Sequence, residues 1–283
     1  MMNKRQSKSM FYVSILISGS IFVQMGLYLI SLISGSNLRF NIFEVCHTTL
    51  KLIGLTSLTY AVDILVVGTF LFALWKITTQ VIQTIKMRSR LQQYNNESLT
   101  KKFNDEYRNK QKEFMIISYP VPVAITIGFL SPKIVLSTGL LNLLSEEELE
   151  AVIYHETYHL NNHDPLKIFL LSIGSITLPY IPILKWLNEK YRVVQEVMAD
   201  ELAIEKQETS LHIGSALLKM LKVGKLETKS FAYASFAETS VNYRIEYILN
   251  PIKNNQIKIP VTITMWSILV FCLISIFFIY ALA

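Results

Sequence analysis

Apolar and polar positions divide this chain into long hydrophobic runs and shorter patterned stretches. Runs at about residues 11–33, 52–77 and 259–283 are each long enough to cross a bilayer, which takes about 20 residues. They predict three transmembrane helices. A fourth apolar run, residues 166–187, is interrupted by Leu178-Pro179-Tyr180-Ile181-Pro182, a natural reversal. Between the second and fourth runs the period changes. Residues 121–127 alternate and predict a short strand, Gly128 to Pro132 a turn, and residues 133–137 a return strand. A helix is expected over 146–162, with Leu149, Val152 and Ile153 on its apolar face. Ser145 and Glu148 have capping-box spacing, three acids suit the positive end of the helix dipole, and Asp164-Pro165 marks the stop. Residues 193–203 give a second helical pattern. Residues 211–221 are amphipathic through Ile213, Leu217 and Leu221, a spacing that serves core packing, so His212 within them is not read as a ligand. Residues 78–113 are charged and read as a juxtamembrane helix or a solvated linker, and residues 232–239 as a small, polar, mobile stretch.

Composition agrees with a membrane protein. The 283 residues are 51% hydrophobic and 17% charged, with a mean hydropathy of +0.36, too apolar for an ordinary soluble domain. The first run follows Lys4, Arg5 and Lys8, but its core is too long for a signal peptide and no small-residue cleavage site follows, so it reads as an uncleaved anchor. Cations are few between the first two runs and dense after the second, at Lys76, Lys86, Arg88, Arg90, Lys101 and Lys102. The expected topology has the N-terminus and residues 78–258 cytoplasmic and the C-terminus outside. These inner loops account for the net charge of +6. No basic face with interleaved aromatics stands out, so no direct nucleic-acid partner is expected. Asp63 in the second run is costly in a span unless it lies near its end or has a function. Cys46 and Cys272 fit neither a metal spacing nor a disulfide framework and read as unpaired fillers.

The chemistry concentrates in Tyr154-His155-Glu156-Thr157-Tyr158-His159. Residues four apart share a helix face, so His155 and His159 can reach one metal ion, and Glu156 between them can take a proton from water there. H-E-x-x-H is the zinc-peptidase signature. A catalytic zinc takes three protein ligands and keeps one open position. The extended pattern with a third histidine fails, since Asn162 and Pro165 occupy its Gly and His places. Glu196 and Asp200, on one face of the second helix, are the next carboxylates. Glu196 reads as the third ligand, and Asp200 as a partner that orients a ligating imidazole. Tyr243 and Arg244 are candidates for stabilising an oxyanion.

The site constrains the fourth run. His155 and His159 precede it and Glu196 follows it, so a full crossing would put the ligands on opposite sides of the membrane. Residues 166–187 are therefore expected to form a re-entrant hairpin of two short helices. The two strands before the zinc helix form either an edge to which a peptide substrate adds or a plain structural hairpin.

I-x-x-G-F-L-x-P-x-I-x-L near 125–136, S-x-E-E-L near 145–149, H-E-x-x-H-x-x-x-x-D-P through Pro165, E-x-x-x-D at 196–200 and a late R-I follow in order. Together they resemble the membrane metallopeptidases of the beta-lactam-sensing antirepressor family. More distantly the chain is similar to prenyl-protein endopeptidases and heat-shock membrane proteases. The resemblance implies one zinc ion held by His155, His159 and Glu196, Glu156 as base, and cleavage of a cytoplasmic protein such as a transcriptional repressor on an external signal. Family sensors carry an extracellular domain after the last span. The sequence here ends at Ala283, so the expectation is no sensor domain of its own and a separate sensor partner.

The expected fold is a mostly α integral membrane protein. It has an N-terminal membrane region of two spans (1–77), a cytoplasmic gluzincin-type zinc metalloprotease domain containing a small β-sheet (78–258), and a C-terminal transmembrane helix (259–283). The function expected is a zinc metalloendopeptidase with the lipid bilayer and a protein or peptide substrate as partners. Processing of a small peptide, such as a pheromone or bacteriocin, and a non-catalytic membrane sensor or immunity protein remain as alternatives.

Overall fold

The long apolar runs form helices. A computed structural model describes residues 4–34, 42–54, 56–107, 114–226, 234–249 and 259–280. Helix α1 is Lys4–Ser34, α2 is Ile42–Leu52 and α3 is Thr56–Gln93. Two stretches, Arg5–Ser34 and Asp63–Gln93, are long and apolar enough to cross a membrane. Large apolar side chains lie exposed along both, among them Leu16, Val23 and Ile33 on α1 and Ile64, Leu71 and Trp75 on α3. Surfaces of that kind are costly in water and suit lipid. Helix α3 continues well past residue 77, where the sequence placed the end of the span. The side chains of Cys46 and Cys272 lie outside the described residues.

The chain forms two compact units. One comprises Lys8–Gln80, Phe169–Lys190 and Ile257–Ala283; the other comprises Met1–Ser7, Val81–Ile168 and Tyr191–Gln256. In the first, the fourth apolar run folds back on itself. Helix α4 (Glu97–Glu106) belongs to the second unit. Helices α5 (Thr138–Leu143) and α6 (Glu146–Asn161) follow it in the chain, and then come α7 (Asp164–Thr177) and α8 (Pro182–Gln207). The residues between α7 and α8 are those of the expected reversal, and Asn188 Nδ2 donates to Ser175 Oγ at 3.2 Å across it. Leu178, Ile181 and Leu184 at this tip bury against Ile21, Met25 and Tyr28 of α1 and Val66 of α3. The hairpin tip thus packs on helices of spanning length. Asp63 is met by the hydroxyl of Tyr28. Helix α11 (Val261–Tyr280) runs beside α2.

The second unit holds a mixed three-stranded sheet. Strands β1 (Phe114–Ile117), β2 (Ala124–Ile127) and β3 (Lys133–Ser137) lie in the order β1-β3-β2, with β3 parallel to β1 and antiparallel to β2. One face buries Phe114, Ile116, Ile134 and Leu136 against Ala151, Val152 and Ile153 of α6 and Ile213 and Ala216 of α9 (Leu211–Leu226). The opposite face buries Met115, Ile117, Ile127 and Val135. Helix α10 (Ala234–Leu249) follows, and residues 234–239, read from the sequence as mobile, form its first turns.

The two outer edges of the sheet differ. Side chains of α4 close β1: Asn104 accepts from the amide of Phe114 at 2.9 Å and donates to its carbonyl at 3.0 Å, and Thr100 accepts from the amide of Ile116 at 2.9 Å. The outer edge of β2 makes no backbone hydrogen bond to any described residue. The start of α6 is fixed by a reciprocal cap, in which Ser145 Oγ accepts from the amide of Glu148 and Glu148 Oε2 accepts from the amide of Ser145.

Candidate metal centre

Helix α6 brings His155 and His159 one turn apart on its buried face, at 6% and 8% exposure. Each Nδ1 faces a carboxylate: His155 lies 2.8 Å from Asp200 Oδ1, and His159 lies 2.8 Å from Asp164 Oδ2. A carboxylate only accepts, so each Nδ1 carries its proton there and each Nε2 of the neutral ring keeps a lone pair. The two Nε2 atoms face one another at 3.2 Å. Glu196, from α8, closes the triangle, with Oε2 at 3.5 Å from His155 Nε2 and Oε1 at 3.5 Å from His159 Nε2.

These spacings suit a small cation. Ligands about 2.0–2.1 Å from a tetrahedral zinc sit about 3.3 Å from one another, the edge of the tetrahedron. The two imidazole nitrogens, 3.2 Å apart, lie close to that value, and each oxygen of Glu196 lies 3.5 Å from one of them. Among the described residues, His155, His159 and Glu196 are the group whose ligand atoms converge, all within 4.8 Å of one another. Two neutral imidazoles and one carboxylate leave a fourth position open, as a catalytic metal requires. Glu196 is the donor nearest solvent, with 31% of its side chain exposed against 8% and 11% for the imidazoles.

Charges around the centre are heavily coupled. Burial would raise the carboxyl of Glu196, but the hydrogen bond to His155 and the charges of His159 and Arg244 prevail and hold it well below the usual range. Asp200 is likewise lowered: burial opposes, and Arg244 and His155 outweigh it. Burial and Arg244 pull His155 down, yet its contacts with Asp200 and Glu196 push it up to about 9.

Arg244, on α10, does not stand free over the site. Its Nε and Nη2 donate to Asp200 Oδ2 and Oδ1, both at 2.7 Å, and Nη1 donates to Glu196 Oε2 at 3.0 Å. The guanidinium clamps the two acids of α8 together. Tyr243 precedes it, so its side chain leaves the helix about 100° away from that of Arg244. Glu156 is buried between the two histidines in sequence, and its carboxylate accepts from the Thr126 hydroxyl of β2 at 2.8 Å.

Two contributors were not singled out from the sequence. Asp164 was read as the end of α6 and as part of the H-E-x-x-H-x-x-x-x-D-P pattern, with no role at the metal. His163, with φ of 52°, turns the chain in the left-handed region, and Asp164 then opens α7 with its carboxylate against His159. The available signal was an acid five residues after the second histidine and just before a proline. Thr126 carried no signal beyond a β-branched residue in a strand.

A helix-borne H-E-x-x-H joined by a distant carboxylate defines a metal-dependent peptidase centre. The chain belongs to the BlaR1 peptidase M56 family, whose model matches residues 40–248. It is similar to the regulatory protein BlaR1 of Bacillus licheniformis, with 28% identity over 172 residues, covering 58% of this chain and 28% of the relative. The chain therefore spans less than a third of that relative's length.

Proposed function

We propose that this chain is a membrane-embedded zinc endopeptidase that cleaves a cytoplasmic protein, with a transcriptional repressor as the leading substrate class. The observation that carries the metal chemistry is the convergence of His155 Nε2, His159 Nε2 and the Glu196 carboxylate: the two nitrogens lie 3.2 Å apart, and Glu196 sets Oε2 at 3.5 Å from the first and Oε1 at 3.5 Å from the second. Membership of a peptidase family supports hydrolysis of peptide bonds, and the word "regulatory" in the name of the Bacillus licheniformis relative favours a signalling substrate over a processed peptide.

In this proposal His155, His159 and Glu196 hold the ion, and Asp200 and Asp164 fix the imidazoles. Arg244 keeps Asp200 and Glu196 ionised and in place with three of its five N–H donors, and the remaining N–H groups, with Tyr243 beside it, are the candidates for the oxyanion. When bound, zinc supplies a Lewis acid for the scissile carbonyl and brings the pKa of water toward about 7. Glu156 takes the proton of the attacking water and passes it to the leaving amine, a role that contributes roughly 10²–10⁴-fold in rate. The open edge of β2 offers backbone groups to an extended substrate, which the plugged edge of β1 cannot.

The membrane arrangement is part of the proposal. The chain crosses at α1, at α3 and at α11, and the α7–α8 hairpin enters the bilayer part-way and returns. Cations at the end of α3 keep residues 78–258 on the cytoplasmic side.

The test is Glu156→Gln in the full chain. The variant is expected to bind metal like the parent, to lose cleavage of fluorescent casein, and to retain bound substrate in a pulldown from its host. Undiminished cleavage would overturn the role of Glu156.

A further inference from the structure

The side of the sheet that faces α6 is apolar at every position but one. Phe114, Ile116, Ala124, Ile134 and Leu136 share that face by register, and Thr126 stands among them at 9% exposure. A hydroxyl buried there must find an acceptor. It meets two, both on Glu156: the carboxylate Oε2 at 2.8 Å and the backbone carbonyl at 3.1 Å. Valine has nearly the same shape and suits a strand at least as well, so packing alone does not call for the hydroxyl.

We propose that Thr126 is a positioning residue that divides the labour of the two Glu156 carboxylate oxygens. This deepens the peptidase reading above and rests on it. Thr126 holds Oε2 from the strand side. Oε1 accepts no hydrogen bond from any described residue and is left to the chemistry. The water O–H bond breaks as its proton joins Oε1 and its oxygen bonds to the scissile carbonyl carbon; the Oε1–H bond then breaks as the proton joins the amide nitrogen, whose C–N bond breaks to release the amine. The Thr126 proton stays on its own oxygen throughout, because Oε2 remains an acceptor whether or not Oε1 is protonated. The second contact, to the backbone carbonyl of Glu156, places the hydroxyl on the stem of the residue it orients. Without that anchor the carboxylate can rotate away from the attacking water, and misplacement of a reacting group by about 1 Å is enough to cost 10²-fold.

The experiment compares Thr126→Val, Thr126→Ser and the parent as zinc-loaded full-length protein in detergent, with fluorescent casein as substrate. Thr126→Val is expected to lower kcat roughly ten- to a hundredfold with KM within about twofold, since the hydroxyl touches the base and not the substrate. Thr126→Ser restores kcat to within about threefold, because it keeps the donor. Zinc affinity by chelator competition and the thermal midpoint stay at parent values in both, because the hydroxyl contacts no ligand. In a Glu156→Gln background Thr126→Val adds no further loss of kcat, the non-additivity of residues acting as one unit. Full turnover by the valine variant, equal losses in both variants, or loss of zinc would each overturn the assignment. A parent that cuts nothing, or a Glu156→Gln variant that still cuts, instead overturns the peptidase reading and the assignment with it.

Discussion

Asp200 Oδ1 lies 2.8 Å from Nδ1 of His155, although 45 residues separate the two in the chain. The contact aims Nε2 of His155 at His159 and Glu196. Asp164 does the same for His159 at the same distance, from only five residues away. Each acid is 1% exposed or less, so neither is there for solubility.

Loss of either acid should therefore show in metal affinity before it shows in the fold. Asp164→Asn and Asp200→Asn are each expected to weaken zinc binding about 10–100-fold, the usual effect of removing a partner that orients a ligand. Asp200→Asn should be the worse of the two, because it also removes the charge that Arg244 meets and replaces one of the two oxygens accepting from Arg244 by an NH2 donor. Competition with a fluorescent chelator measures both. Parent-like affinity in Asp200→Asn would mean that His155 is oriented by something else.

Arg244 neutralises buried Asp200 and partly buried Glu196, two acids that would otherwise repel. Arg244→Ala leaves them uncompensated and is expected to cost about 3–5 kcal/mol of stability, as breaking a buried pair does. Arg244→Lys keeps the charge but cannot reproduce the three-way fork, so it recovers only part of that loss. Thermal unfolding of metal-stripped protein distinguishes the three.

The imidazoles set the pH response. With metal removed, His155 has a pKa near 9 against an ordinary value of 6.5. Its pairing is therefore fully present below about 6.5 and fades as pH rises through about 9. His159 is raised in the same sense. Glu196 and Asp200 are lowered, so what they contribute is present above their ordinary values of 4.5 and 3.8 and is lost on acidification. Metal-stripped protein should melt highest between about pH 4.5 and 6.5. Zinc must expel the His155 proton, so affinity should climb with pH toward about 9, with protons released on binding. A zinc affinity that stays flat from pH 6 to 9 would contradict this.

Much of the scaffold was readable because local chemistry decided it. The cap, acids and terminator of α6 all lie within its own segment, and the helix runs Glu146–Asn161 as its signals indicate. Strand β2 alternates, with Ala124 and Thr126 on one face and Ile125 and Ile127 on the other, whereas β3, buried on both faces, was legible through the Gly128 to Pro132 turn that leads into it. Strand β1 was missed: its four residues are all buried, so Phe114 to Ile117 shows no period of two, and its parallel pairing with β3 is non-local. The ligand pattern was legible from spacing, but its supports were not. Arg244 reaches Glu196 across 48 residues and Thr126 reaches Glu156 across 30, and no local pattern encodes such contacts.

The most direct measurement is elemental analysis of the purified full chain beside Glu196→Ala. One equivalent of zinc in the parent, largely lost in the variant at equal chelator concentration, is the expected result. A parent without stoichiometric metal, or a Glu196→Ala variant that holds it as tightly as the parent, would contradict the convergence of His155, His159 and Glu196 on a single ion.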